Sequence, residues 1–156
     1  DPIKDEMFYA EKNNGAFFNN QRIRVSKKNN INECLFALGK IEKDFDLTYR
    51  RSGCAALDMA YVASGRYDGY FQKNLNLWDI AAGVILIKEA GGIVNDIDLD
   101  ITQNLKVIAS SVNIEAKLKE KSIKIQGLAQ VTVQWVIIVV EKLVTKTAVI
   151  HIPEAI

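Results

Sequence analysis

The sequence predicts a layered α/β domain, a mixed sheet flanked by helices. Two observations carry that expectation. Short runs of aromatic and β-branched residues alternate with segments whose apolar residues are spaced for a packed helical face. The chain of 156 residues, 49% of them hydrophobic and 25% charged, is also large enough to bury one core. In order, Met7 to Ala10, Ala16 to Phe18 and Arg22 to Val25 are separated by Asn13-Asn14-Gly15 and Asn19-Asn20. Asn and Gly tolerate the left-handed backbone of tight turns, so these runs read as antiparallel strands. Such a ribbon is marginal alone and needs a cover for its apolar face. Glu33 to Leu38 is a further strand, followed by a charged connection through Lys40, Glu42, Lys43 and Asp44. Cys54 to Ser64, CAALDMAYVAS, spaces Leu57, Tyr61 and Val62 for a helix that Gly65 stops. Tyr67 to Phe71 is a short strand, and Asp79 to Ala90 a second helix closed by Gly91-Gly92. Ile93-Val94 and Leu105 to Ala109 add strands, and Asn113 to Lys121 an amphipathic helix. From about Ser122 onward, VTVQWVIIVV and LVTKTAVIHI are dominated by β-branched residues, which fits strands and is an aggregation liability if exposed.

Composition excludes several classes. A net charge of +1 gives no electrostatic footprint for nucleic acid or an anionic membrane, and no basic stripe interleaves with aromatics. Two cysteines, Cys34 and Cys54, are too few for a disulfide framework, so a reducing, cytoplasmic setting is expected. The single histidine, His151, excludes a multi-histidine metal cluster, and there is no G-x-S-x-G elbow for a Ser-His-Asp triad. No charged-then-apolar leader opens the chain, and the run Val131 to Val140 is too short and too interrupted to span a bilayer. The first residue is Asp1 rather than Met, which is read as a processed chain or a piece of a longer gene.

The stretch from Arg50 to Gly92 carries the chemistry. Gly53-Cys54-Ala55 opens one helix and Trp78-Asp79 another, and each start presents free N–H groups and a positive dipole end. If the two starts converge, they make a place for an anionic or polyhydroxylated ligand, with Asp79 as a hard oxygen donor to Mg²⁺. The competing reading is that Asp79 caps its helix and Trp78 fills the core.

The same stretch resembles the C-terminal part of the inositol monophosphatase family of Mg²⁺-dependent phosphatases. RRSGCAAL stands for R-x-G-S-A-A-L, GRYDGY for G-x-x-D-G-[FY], WDIAAG for W-D-x-A-A-G and EAGG for E-A-G-G, all at family spacing. Pro2, Glu6, Phe8, Ala10, Gly15-Ala16 and Arg22 to Ser26 match an earlier family stretch, so the resemblance covers roughly residues 1 to 120. It implies a layered sugar-phosphatase fold, of which residues 1–30 supply strands belonging to the N-terminal sheet and residues 31–121 the C-terminal α/β domain. Residues 122–156 match nothing in the family pattern and read as an added or altered β-prone tail.

By the same resemblance, Asp79 is a metal ligand lying near the substrate hydroxyl, and Gly53, Cys54 and Ala55 contact the inositol ring. Gln72 stands where a Glu usually binds ring hydroxyls; it keeps an acceptor and loses the charge. Cys54 replaces the usual Ser or Thr and reads as a buried small thiol. The resemblance implies Mg²⁺ as cofactor, a sugar or inositol phosphate as ligand, and a homodimer or an upstream half as partner. The family's Glu-Glu pair is absent. Its D-P-[IL]-D-G-[ST] signature is broken, since Lys4 follows Asp1-Pro2-Ile3. A lone Asp79 cannot complete Mg²⁺ coordination, so the chain is expected to be inactive by itself. The connection from Leu38 to Arg50 is also shorter than the family's. The alternative function is a non-catalytic module for protein interaction, or a gene remnant, since some bacterial members act as partners in transcription.

Overall fold

The computed structural model describes residues 1–39, 47–98 and 100–120. Asn19 and Asn20 both adopt positive φ, 42° and 67°. This is the backbone a two-residue hairpin turn demands, and it joins β2 (Gly15–Phe18) to β3 (Gln21–Arg22). Strand β1 (Phe8–Glu11) lies antiparallel to β2, with Phe8 opposite Phe18 and Ala10 opposite Ala16. These three form a sheet of their own.

Its cover comes from the hydrophobic core, which includes Ala16 and against which Phe8 and Ala10 pack, and two further side chains tie it down. The Arg66 guanidinium lies over the rings of Phe8, Phe18 and Tyr61 and pairs with Glu6 at 2.8 Å. The Glu89 carboxylate accepts the N–H groups of Asn13 and Gly15, each at 2.9 Å, and so holds the first turn.

A second sheet has five strands in the order β5-β4-β6-β8-β7: β4 (Phe36–Leu38), β5 (Tyr49–Arg50), β6 (Gly69–Leu75), β7 (Gly92–Val94) and β8 (Leu105–Ser111). Strand β4 runs parallel to β5 and β6, whereas β8 runs antiparallel to β6 and β7, so the sheet is mixed as expected. The helices are α1 (Ala55–Ala63), α2 (Leu77–Glu89) and α3, residues 112–120. Met59, Val62, Tyr70, Ile80, Ile87 and Val107 form the core between helices and sheet. Gly83 lets α1 and α2 touch, since a Cβ there would sit 2.6 Å from that of Met59.

Several element boundaries differ from the sequence reading: β3 is Gln21–Arg22 rather than Arg22 to Val25, the reading places no strand at β5, β6 runs on to Leu75, and three further differences have a local cause. Glu33 is not in a strand. It ends a 3-10 turn (Ile31–Glu33) in which the Asn30 side chain accepts the Asn32 N–H, and β4 begins only at Phe36. Tyr67 and Asp68 precede β6 rather than belonging to it, because Asp68 is sunk to 2% exposure. Its Oδ2 there takes the Leu35 N–H at 2.7 Å and the Lys28 ammonium at 2.9 Å. Helix α2 starts at Leu77, with Asn76 as its cap, and not at Asp79. Gly65 and Gly91 end α1 and α2 with φ of 72° and 83°, the left-handed backbone a helix stop uses. Lys40, Glu42, Lys43, Asp44, Lys121 and the tail from Ser122 lie outside the described residues.

Candidate functional site

Helix α1 begins from a glycine turn. Gly53 has φ of 83° and open space where a Cβ would stand, so conformation rather than crowding requires glycine there. Ser52 Oγ accepts the Cys54 N–H at 3.1 Å, and Cys54 occupies the cap position of α1 in extended backbone. Cys54 is exposed, not buried, because a cap residue stands outside the packed face of its helix. Ala55 is half-buried behind it.

Helix α2 begins after a bulge. The pairing of β6 with β8 shifts register between Gln72 and Leu75, and Asn74 in that stretch has φ of 57°. Asp79 lies in the first turn, half-buried, and its Oδ2 accepts the Asn76 N–H at 3.1 Å. Asp79 therefore has the capping task that one reading gave it, done with one of its two oxygens. Trp78 does not fill the core; it is 66% exposed.

The first turns of α1 and α2 both come within electrostatic reach of the Tyr70 phenol, which burial raises well above its ordinary range and which Asp58 and Asp79 raise further. The Tyr70 hydroxyl donates to Gln72 Oε1 at 2.5 Å. One of the two lone pairs of the acceptor that Gln72 was expected to keep for a ligand is thus already engaged.

Asp58, in α1, escaped the sequence reading although an acid inside CAALDMAYVAS was its visible signal. It is 1% exposed, and burial raises its carboxyl above the ordinary range, opposed by a hydrogen bond from Ser52. Among the described residues its Oδ1 has no hydrogen-bond partner. A cleft of 510 Å³ runs along the apolar faces of Ala56, Leu57, Ala82 and Leu86 and is edged by Asp1, Asp5 and Glu6.

Mg²⁺ at a catalytic centre needs several oxygen ligands in near-octahedral order. Among the described residues no group of three or more His, Cys, Asp and Glu comes together to hold a metal ion. Asp1, Asp5 and Glu6 do not join Asp79 in such a group, and Glu6 is already paired with Arg66. The residues described do not make a Mg²⁺ site. None of the described helices is long and apolar enough to cross a membrane.

The model of the inositol monophosphatase family matches residues 1–130. The chain belongs to that family. The match continues past Ser122, where the sequence alone showed no family pattern. An inositol-1-monophosphatase of Caulobacter vibrioides is 34% identical over 140 residues, which cover 77% of this chain and 55% of that protein. A Nus factor SuhB of Haemophilus influenzae is 41% identical over 114 residues, 63% of this chain and 43% of that one. The crystal structure of the extragenic suppressor protein suhB from Bartonella henselae superposes with a TM-score of 0.71 at 42% identity, covering 77% of this chain and 55% of that one. The chain spans about half the length of the relatives it matches.

Proposed function

We propose that this chain is the ring-binding portion of a Mg²⁺-dependent phosphate monoester hydrolase that converts an inositol or sugar phosphate to the free polyol plus phosphate. In this reading Gly53, Cys54, Ala55 and Gln72 bind the polyol. Asp79 gives one oxygen to a metal site whose other donors lie outside the described residues. Residues 1–30 lend strands to a sheet that an upstream half completes. The chain by itself does not turn over, and its setting is cytoplasmic. The observation that supports the reading is the family match over residues 1–130 together with a span of about half the length of the relatives matched.

The test is phosphate release from inositol 1-phosphate by the purified chain in Mg²⁺, with Asp79→Asn alongside. No release is expected from the chain alone. Mg²⁺-dependent release is expected once the upstream half of a relative is added, and Asp79→Asn should abolish it. Turnover by the chain alone that Asp79→Asn removes would overturn the incompleteness. Unchanged turnover in the restored mutant would overturn the role of Asp79.

A second reading is a non-catalytic interaction module. Several relatives carry the name Nus factor SuhB, and the absence of a metal cluster among the described residues costs such a role nothing. Under that reading the added upstream half restores no hydrolysis.

A further inference from the structure

Tyr70 and Val107 turn toward the core under the helices, so their strand neighbours Phe71, Lys73, Lys106 and Ile108 share the opposite face of the five-stranded sheet. Gln72 stands opposite Val107, and beyond that pair the register shifts, which brings Lys73 and Lys106 together at the bulge. Both reach one ring: Lys73 Nζ lies 5.5 Å and Lys106 Nζ 5.9 Å from the centre of Phe71. Like charges that meet across two strands repel. Lys106 is half-buried, and among the described residues its Nζ has neither a carboxylate nor a hydrogen-bond acceptor. Burial, and then the charge of Lys73, lowers its ammonium below the ordinary value. The neighbouring elements supply no acid: β4 and β7 carry no titratable residue, and Asp96, just after β7, lines a cleft with Lys88 of α2. Lys28 and Lys4 are held the other way, Lys28 by Asp68 at 2.9 Å and Lys4 by the Tyr61 hydroxyl at 2.8 Å.

We propose that Lys106 is a modification site, a nucleophilic amine that takes an acyl group from a small acyl phosphate, with Lys73 as the positioning residue beside it. A lysine partly desolvated next to a second cation is the arrangement that activates an amine near neutral pH. A half-buried amine admits only a small donor, and an acyl phosphate is also an anion, which the positive charge on this face draws in. In the step, the lone pair of the free Lys106 amine attacks the acyl carbonyl and forms the amide N–C bond. The C–O bond to phosphorus breaks on the carbon side, its electron pair leaves with phosphate, and the surplus proton on Nζ passes to water. The product has lost one of the two like charges at the bulge, so modification also relieves their repulsion.

The experiment exposes the purified chain briefly to acetyl phosphate at pH 7 and reads acetylation at each lysine by mass spectrometry of its peptides. Lys12 and Lys27, both exposed, are the references. Lys106 should acetylate about threefold to tenfold faster than either, and Lys28 and Lys4 more slowly than both. Accessibility alone gives the reverse order for Lys106. Lys73→Met keeps the aliphatic stem and removes the charge; circular dichroism reports whether the variant is folded. In it the Lys106 rate should fall about threefold or more, and the midpoint of its pH–rate profile should move upward. A Lys106 rate no faster than those of Lys12 and Lys27 in the unaltered chain overturns the proposal, whether or not the variant folds. A folded Lys73→Met that keeps both the rate and the midpoint overturns the part given to Lys73.

Discussion

Asp68 and Asp79 belong to neighbouring motifs, and their surroundings differ. Asp68 is 2% exposed, and the chain folds around it: one oxygen gathers the Leu35 N–H and the Lys28 ammonium, tying the approach to β4 to the start of β6. Asp79 is half-buried and uses one oxygen locally, on the N–H of Asn76. Both are aspartates in short family patterns, and the sequence reading gives a role to Asp79 alone. The difference teaches that a motif mixes architecture with chemistry, and that the number of partners a carboxylate has already taken separates the two.

The largest expected effect falls on the architectural member. Asp68→Ala leaves the Leu35 N–H without its partner and removes the Lys28 pair, and should destabilise the chain by about 2–3 kcal/mol in urea unfolding. A loss below half a kilocalorie would mean that Asp68 is not the brace described, and the contrast with Asp79 would collapse.

Asp58 sharpens the comparison, since it is buried like Asp68 but poorly partnered. Its folded-state carboxyl is raised above the ordinary 3.8 by burial, so the folded chain keeps that proton to a higher pH than the unfolded chain does. The folded form therefore binds more protons across the window that opens near pH 3.8, and stability falls as pH rises through it. Asp58→Asn should remove this penalty: the variant is more stable than the parent at pH 7 and gains nothing at pH 3, measured by urea midpoints at both values. A gain of equal size at both pH values would show that the effect is packing, not ionisation.

The smallest effect is expected at Asp79, the member to which the proposed function gives chemistry. Asp79→Asn keeps a side-chain oxygen for the Asn76 N–H and should change stability by less than about 0.5 kcal/mol. A larger loss would move Asp79 to the architectural side and spoil its use as an activity test.

Much of the fold was legible in the sequence. The alternating composition carried the mixed sheet, and the glycines after Ser64 and Ala90 marked the stops of α1 and α2. What escaped was interaction at a distance in sequence. Nothing local tells that Lys28 and Leu35 converge on Asp68, so Tyr67 looked like strand. The start of α2 was misplaced because Asp is both a good cap and a good residue for the first turn, and Asn76 took the cap. Cys54 looked buried by composition, whereas its cap position exposes it. The Tyr70–Gln72 bond was within reach, since residues two apart on a strand share a face, but the strand read over Tyr67 to Phe71 ended one residue short of Gln72.

The two cysteines differ by chemical accessibility. Burial pushes the Cys34 thiol up to about 11, while Cys54 stands exposed at the head of α1. A thiol-directed fluorophore or spin label at neutral pH should therefore attach at Cys54 alone. The natural sequence supplies a single-site reporter at the head of α1, and ligand or partner arrival near that helix start can be followed there without altering a residue.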